Sequence, residues 1–171
     1  KVEVIILRAG NIIGGGDWNN YRIIPDIFKC LYTNKKIFIR NPNAIRPWQH
    51  IFEILNFFIL AIIQKSRVSN NPEIFNIAPS LKSNIKVISL IKLIKKIGNY
   101  KGLRFTIKKN SKYESSILRL SSLKAKRKIN YKPKLDLKKS LKLTIEWYDS
   151  YYKKKDIYNY SLKQLKNYFN K

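Results

Sequence analysis

The feature that most constrains this chain is an apolar run that begins almost at its first residue and leads directly into a glycine-rich loop. Residues 2–7 are Val, Ile and Leu apart from Glu3, and Gly10 and the glycines at 14–16 follow. Such a run is typical of a strand covered on both faces in a parallel sheet. Because ligands in open α/β sheets bind where strands end, the loop that starts at Arg8 is the first place to expect a site.

Helix-like and strand-like segments alternate along the rest of the chain. Helical spacing of apolar residues predicts helices at 23–31, 53–65, 85–97, 120–129, 137–152 and 161–169. Short β-rich segments predict strands at 36–40, 73–77 and 103–107. Asp136 is expected to cap a helix at its start and Gly98 to end one. The alternation predicts an α/β fold, and the opening inside a strand predicts that residues 1–171 are the later part of a longer chain.

Composition leaves two explanations for the strong positive charge. The net charge is +26, of which residues 81–171 carry +21, and such a surface attracts nucleic-acid phosphates. The 28 Lys, 27 Ile and 17 Asn are also what a strongly AT-biased genome would encode. We favour the compositional explanation and keep a basic nucleic-acid-binding fragment as the alternative.

Cysteine content and hydropathy indicate a compartment. With Cys30 alone, the chain has no internal disulfide, which suits a reducing environment. Its longest apolar stretch, at 54–63, is shorter than the ~20 residues that cross a bilayer. We therefore expect a cytoplasmic location and no membrane partner.

Two polar tracts carry more chemistry than a fold requires. The first, residues 8–18, follows the opening strand, where glycines would let the backbone approach a phosphate, although the spacing is not that of a dinucleotide-binding loop. The second, residues 40–50, contains Arg40, Arg46, Trp48 and His50. A guanidinium fork matches a diphosphate, so Arg46 is a candidate ligand-binding residue, whereas a flexible linker and a solvated turn are the simpler readings of the two tracts.

Residues 8–18, 22–26 and 41–50 together resemble the CDP-glucose 4,6-dehydratases of the extended short-chain dehydrogenase/reductase superfamily. The likeness continues in order through 75–80, 124–125 and 144–148. The Arg-Pro-Trp-Gln-His ending of the second tract is specific, because relatives that act on other nucleotide sugars look like Arg-Asp-(aromatic) there. The resemblance implies the C-terminal part of an extended Rossmann-type fold, with its last core strands interleaved with a small α/β substrate-binding subdomain.

The resemblance also implies a nucleotide-sugar site. In such enzymes the residue matching Asn11 contacts the sugar diphosphate and the one matching Arg46 grips it. The stretch matching 22–25 lies along the nucleotide, and the strand matching 37–41 borders base and ribose. The full set of substrate-binding residues implied is Asn11, Arg22, Ile23, Pro25, Ile37, Ile39, Arg40, Asn41, Arg46, Asn76 and Glu114.

The implied reaction is an NAD-dependent loss of water, a lyase reaction that forms CDP-4-keto-6-deoxyglucose in deoxysugar biosynthesis. Family catalysis relies on Tyr-x-x-x-Lys, a Thr-Asp-(Lys or Glu) group and an N-terminal glycine motif for NAD, all of which precede the matched region. We therefore expect no catalytic, cofactor-binding or metal-binding residue here, NAD on the missing half, and no activity of this chain alone. Relatives are usually homodimers. Another NAD-dependent nucleotide-sugar epimerase or dehydratase fragment is the second enzyme reading.

Some residues depart from the family pattern or mimic it. Residues 113–121 keep Glu114 but lack the His, Tyr and Asp that relatives have in the segment that closes over substrate. The spacing Tyr-x-x-x-Lys occurs at Tyr32 and Tyr151, about as often as chance predicts, and we discount both. We expect His50 to orient or pack and not to act as a base.

Overall fold

The computed structural model of the chain describes residues 2–64, 72–107 and 115–170. Within these ranges it has seven strands and six helices. The strands are β1 (Ile5–Ala9), β2 (Asn11–Ile13), β3 (Ile37–Ile39), β4 (Ile45–His50), β5 (Glu73–Ile77), β6 (Asn84–Lys86) and β7 (Phe105–Ile107). The helices are α1 (Ile23–Tyr32), α2 (Ile51–Ile63), α3 (Val87–Ile97), α4 (Leu123–Ile129), α5 (Leu137–Tyr152) and α6 (Ile157–Phe169).

The opening strand lies in a two-stranded parallel sheet. β1 pairs with β5, with Ile5 opposite Glu73 and Ala9 opposite Ile77. One face of this sheet packs with α2 and α4 in a core that includes Phe57, Phe75 and Tyr131. Parallel pairing was predicted, but burial on both faces was not borne out, because alternate β1 side chains such as Ile6 are 38% exposed.

The remaining strands form two small sheets beside a second core. β4 is the centre of a three-stranded sheet, parallel to β2 and antiparallel to β6, and β3 pairs with β7 in parallel. Helices α1, α3 and α5 bury their apolar faces here, with Phe28, Leu90 and Leu141 fully enclosed. The end of β3 and the starts of β2, β4 and α1 meet around one cleft, so this second core positions the candidate site.

Helix and strand predictions from periodicity agree with the structure apart from their ends. Asp136 caps α5 as predicted, since its side chain accepts a hydrogen bond from the backbone N–H of Lys139 at 2.7 Å. Gly98 ends α3 with ordinary right-handed backbone, and the left-handed residue is Asn99, with φ 52°. The strands β2, β4 and β6 were not predicted, because β2 and β6 have only three residues each, and β4 is buried along almost its whole length and therefore shows no alternation. None of the helices in the ranges that the structure covers is long and apolar enough to cross a membrane.

Candidate functional site

A cleft of about 450 Å³ opens where β1 and β3 end and where β2, β4 and α1 begin. Its floor comes from β4, which contributes Arg46 and Trp48, and one wall comes from the first turn of α1. The strands β1 and β3 bring their carboxyl ends to the cleft, the end of a strand at which α/β proteins usually bind ligands, whereas β2 and β4 bring their first residues.

Eight of the eleven residues that the sequence and the resemblance assigned to the site line this cleft. They are Asn11, Arg22, Ile23, Pro25, Ile39, Arg40, Asn41 and Arg46. The structure does not bring Ile37 and Asn76 to it. Ile37 is 1% exposed in the core below the cleft, and Asn76 lies on β5, opposite Arg8 in a different sheet. Glu114 and Tyr113 lie outside the described residues.

Arg46 is held at the floor of the cleft by backbone carbonyls. Its side chain donates to the carbonyl of Ile45 at 3.0 Å and to that of Ser115 at 2.7 Å, and the residue is 7% exposed. The strand β4, which carries Arg46, also bonds the segment that contains Ser115, since the Ile45 N–H donates to the Ser116 carbonyl at 2.8 Å. The direction of the guanidinium is therefore well defined, and it places a positive charge at the floor of the cleft.

Arg22 lies at the opposite wall and is paired with an acid. It is the residue before α1, and its guanidinium contacts the carboxylate of Asp17 at 3.3 Å while its side chain remains 62% exposed. The loop that presents Asp17 is anchored from α5, because the Tyr148 hydroxyl donates to the Asp17 carbonyl at 2.6 Å. The Trp18 ring packs in the same place, edge-on to Tyr148 with centroids 5.4 Å apart.

The cleft is more basic than acidic. Three arginines border it, Arg22, Arg40 and Arg46, together with Asp17 and Asp26. Burial raises the pKa of the Asp26 carboxyl, an effect that the positive charges of Lys29 and Arg40 partly oppose. A group of this kind favours an anionic ligand with several oxygens that can accept paired hydrogen bonds from a planar guanidinium, such as a diphosphate.

The glycine cluster has a different function from the one expected. Glycines 14–16 do not border the cleft. A Cβ on Gly15 would lie 2.0 Å from the ring of Trp147, and one on Gly14 would lie 2.7 Å from Ile51. The missing side chains therefore admit the indole of α5 and the start of α2, and not a phosphate.

His50 packs in the interior, as predicted, and it also caps a helix, which was not predicted. It is 1% exposed, and its Nδ1 accepts a hydrogen bond from the N–H of Phe52 in the first turn of α2. Burial lowers the pKa of His50 to about 3, so the imidazole is neutral at physiological pH. The side chain borders neither this cleft nor the second cavity described below.

The tyrosines of the two Tyr-x-x-x-Lys spacings make packing contacts within the protein. The Tyr32 hydroxyl donates to Asp149 at 2.6 Å, and its ring stacks on Tyr152 with centroids 3.8 Å apart. Burial and this hydrogen bond raise the pKa of Tyr32, so the phenolate that a catalytic base requires does not form near neutral pH. Tyr151 stacks on Trp147, and neither tyrosine reaches the cleft.

Sequence reasoning missed several side chains that border the cleft. Tyr21 and Phe38 lie at its rim, while Val87 and Leu118 reach it from more distant parts of the chain. Alternation along β3 could have identified Phe38, because it lies between the buried Ile37 and Ile39. No local signal marks the other three. A second cavity, of about 630 Å³, lies beside the lysine-rich segment 120–139 and contains none of the predicted site residues.

Comparison with known proteins supports the resemblance that the motifs indicated. No family model matches the chain. The sequence is 28% identical over 169 residues to CDP-glucose 4,6-dehydratase of Salmonella typhimurium strain LT2, which covers 98% of this chain and 47% of that enzyme. The similarity that the motifs predicted is therefore confirmed, and the chain spans about half the length of this relative.

Solved structures decide the fold. UDP-glucuronic acid 4-epimerase of Bacillus cereus, in complex with UDP-glucuronic acid and NAD, aligns with a TM-score of 0.76 at 18% identity, covering 88% of this chain and 46% of that one. The fold is that of about half of this nucleotide-sugar epimerase. UDP-glucose 4-epimerase of Thermotoga maritima with UDP-glucose aligns at 0.74, with 22% identity and coverage of 86% and 46%. dTDP-glucose 4,6-dehydratase of Bacillus anthracis in complex with NAD aligns at 0.71, with 17% identity and coverage of 86% and 44%. The predicted α/β class is thus confirmed.

Proposed function

We propose that this chain is the substrate-binding part of a nucleotide-sugar dehydratase and that its cleft binds CDP-glucose. The observation that carries the proposal is the convergence of Asn11, Arg22 and Arg46, which are far apart in the sequence, on one basic cleft. Two guanidinium groups and an amide can engage both phosphates of a diphosphate at once. The similarity to the Salmonella enzyme supports CDP-glucose as the particular ligand.

The complete reaction in this proposal is NAD-dependent loss of water from CDP-glucose. NAD supplies the hydride transfer when it is bound, but the residues described here do not fit it. The glycines of residues 14–16 are packed against Trp147 and Ile51, so they offer no loop open to a pyrophosphate. We therefore assign NAD, and every redox step, to a complementary half, and the role of this chain is to bind and orient the nucleotide sugar. As in related enzymes, the complete protein would be a homodimer.

The direct test is isothermal titration of the chain with CDP-, UDP-, GDP- and dTDP-glucose. The proposal predicts the tightest binding for CDP-glucose. The Arg104→Ala variant is a matched control, since Arg104 is an exposed arginine that bonds Asn34 and does not border the cleft. Its affinity should equal that of the wild type. If the chain binds none of the four nucleotide sugars, the proposal is refuted.

A nucleotide-sugar epimerase or dehydratase of other specificity is the second candidate. The observation that favours it is that the Bacillus cereus and Thermotoga maritima structures with the same fold hold UDP-sugars. Stronger binding of UDP-glucose than of CDP-glucose in the same titration would select it. A nucleic-acid-binding fragment would instead bind duplex DNA with an affinity that falls steeply as salt rises.

A further inference from the structure

Two exposed aromatic side chains border the open end of the cleft. Tyr21 is 80% exposed and Phe38 is 66% exposed, and both line the same cavity as the three arginines. Phe38 projects to the exposed face of β3, whose other two residues are buried. Neither ring belongs to either of the two hydrophobic cores. Their position at one cleft mouth therefore calls for an explanation other than core packing.

Tyr21 also has a backbone conformation that aromatic residues rarely adopt. Its φ is 63°, in the left-handed region, where a bulky side chain is strained and where such strain often marks a functional position. Arg40 stabilises this conformation, because its Nη2 donates to the Tyr21 carbonyl at 3.1 Å. The same guanidinium lies over one face of the ring, 5.7 Å from its centroid. With one face against Arg40 and the residue mostly exposed, the other face is open to a ligand.

We propose that Tyr21 is a specificity-determining residue that stacks on the nucleobase of the bound nucleotide sugar. The inference rests on the proposed function, which places the diphosphate between Arg22 and Arg46. A nucleoside diphosphate held there has its base at one end of the cleft, and the end bordered by Tyr21 and Phe38 offers aromatic faces. Every nucleobase has a π-face, so this stacking selects nucleotides over other anions without choosing among the bases.

The test compares one ligand that has a base with one that lacks it. CDP and inorganic pyrophosphate are titrated into the wild-type chain and into Tyr21→Asn, Tyr21→Phe and Tyr158→Asn. Asparagine lacks the ring but tolerates left-handed backbone, so Tyr21→Asn removes stacking without adding strain. Tyr158 is a comparably exposed tyrosine on α6, 71% exposed and away from the cleft, and serves as the matched control.

We expect Tyr21→Asn to weaken CDP binding about ten-fold, the effect of losing one base–aromatic stack, and to leave pyrophosphate binding unchanged. Tyr21→Phe and Tyr158→Asn should bind both ligands like the wild type. Equal CDP affinity in Tyr21→Asn and the wild type would overturn the inference while leaving the diphosphate site intact. An equal loss for both ligands would also overturn it, because the residue would then act on the whole cleft. Absence of binding of both ligands to the wild type would overturn the proposed function and this inference together.

Discussion

Replacement of Arg46 tests the cleft most sharply by mutation. In Arg46→Ala the floor of the cleft loses its positive charge and its planar set of N–H donors. A hydrogen bond to a charged group contributes about 1.5–3 kcal/mol, so one such bond to the ligand corresponds to roughly a 10- to 150-fold loss of affinity for CDP-glucose. Arg46→Lys keeps the charge but not the fork that binds two oxygens, and should fall between the wild type and Arg46→Ala.

Arg46→Ala also lowers the stability of the folded protein, and this effect must be separated from the loss of ligand affinity. Arg46→Ala removes the donor that reaches the Ser115 carbonyl at 2.7 Å and one of two donors to the Ile45 carbonyl, which also accepts from the Leu118 N–H at 3.1 Å. Loss of these hydrogen bonds from a charged side chain costs about 1–3 kcal/mol, which urea denaturation measures directly. Titrations are therefore made below the onset of unfolding, with Arg104→Ala as control. An Arg46→Ala chain that is folded and binds CDP-glucose as tightly as the wild type would refute the reasoning.

Three further predictions concern packing, pH and association. Gly15→Ala should destabilise the chain by about 1–3 kcal/mol in urea, because the added Cβ would lie 2.0 Å from the Trp147 ring, and wild-type stability would contradict this. Burial raises the folded-state pKa of Glu53 above its ordinary 4.5, so its contribution to stability is present below that pH and is lost as pH rises through the raised pKa. The unfolding free energy of the wild type minus that of Glu53→Gln should accordingly fall with rising pH. A difference that does not change with pH would show that the raised pKa of Glu53 does not contribute to stability. Ile62 and Ile63 are 69% and 71% exposed on α2, so replacing both by Lys should reduce self-association in sedimentation, and unchanged association would show that this face is not involved.

Long periodic segments were predictable because their signal is local. The helix α5 carries its own apolar face and its own cap at Asp136, and the pairing of β1 followed from its continuous apolar sequence. The strands β2 and β6 exist because β4 lies between them, with Asn11 opposite Trp48 and Ile85 opposite Arg46. Such short strands are defined by their partner and not by their own residues.

The site was predictable to the extent that strand ends and the family resemblance mark it. The start of β2 brings Asn11 to the cleft, and the end of β3 brings Arg40 and Asn41. The need for a glycine at position 15 was not predictable, because the Trp147 ring that packs against Gly15 lies 132 positions further along the chain. Tyr21 was not predicted to border the cleft for a related reason, since its strained backbone depends on a hydrogen bond from Arg40, 19 residues away.

A crystal structure of the chain with CDP-glucose measures the central claim directly. We expect the two phosphates to lie between the guanidinium groups of Arg22 and Arg46, within hydrogen-bond distance of Asn11, with the Arg22 side chain moved from Asp17 toward the ligand. Ligand density in the cavity beside residues 120–139, with the cleft empty, would contradict the account.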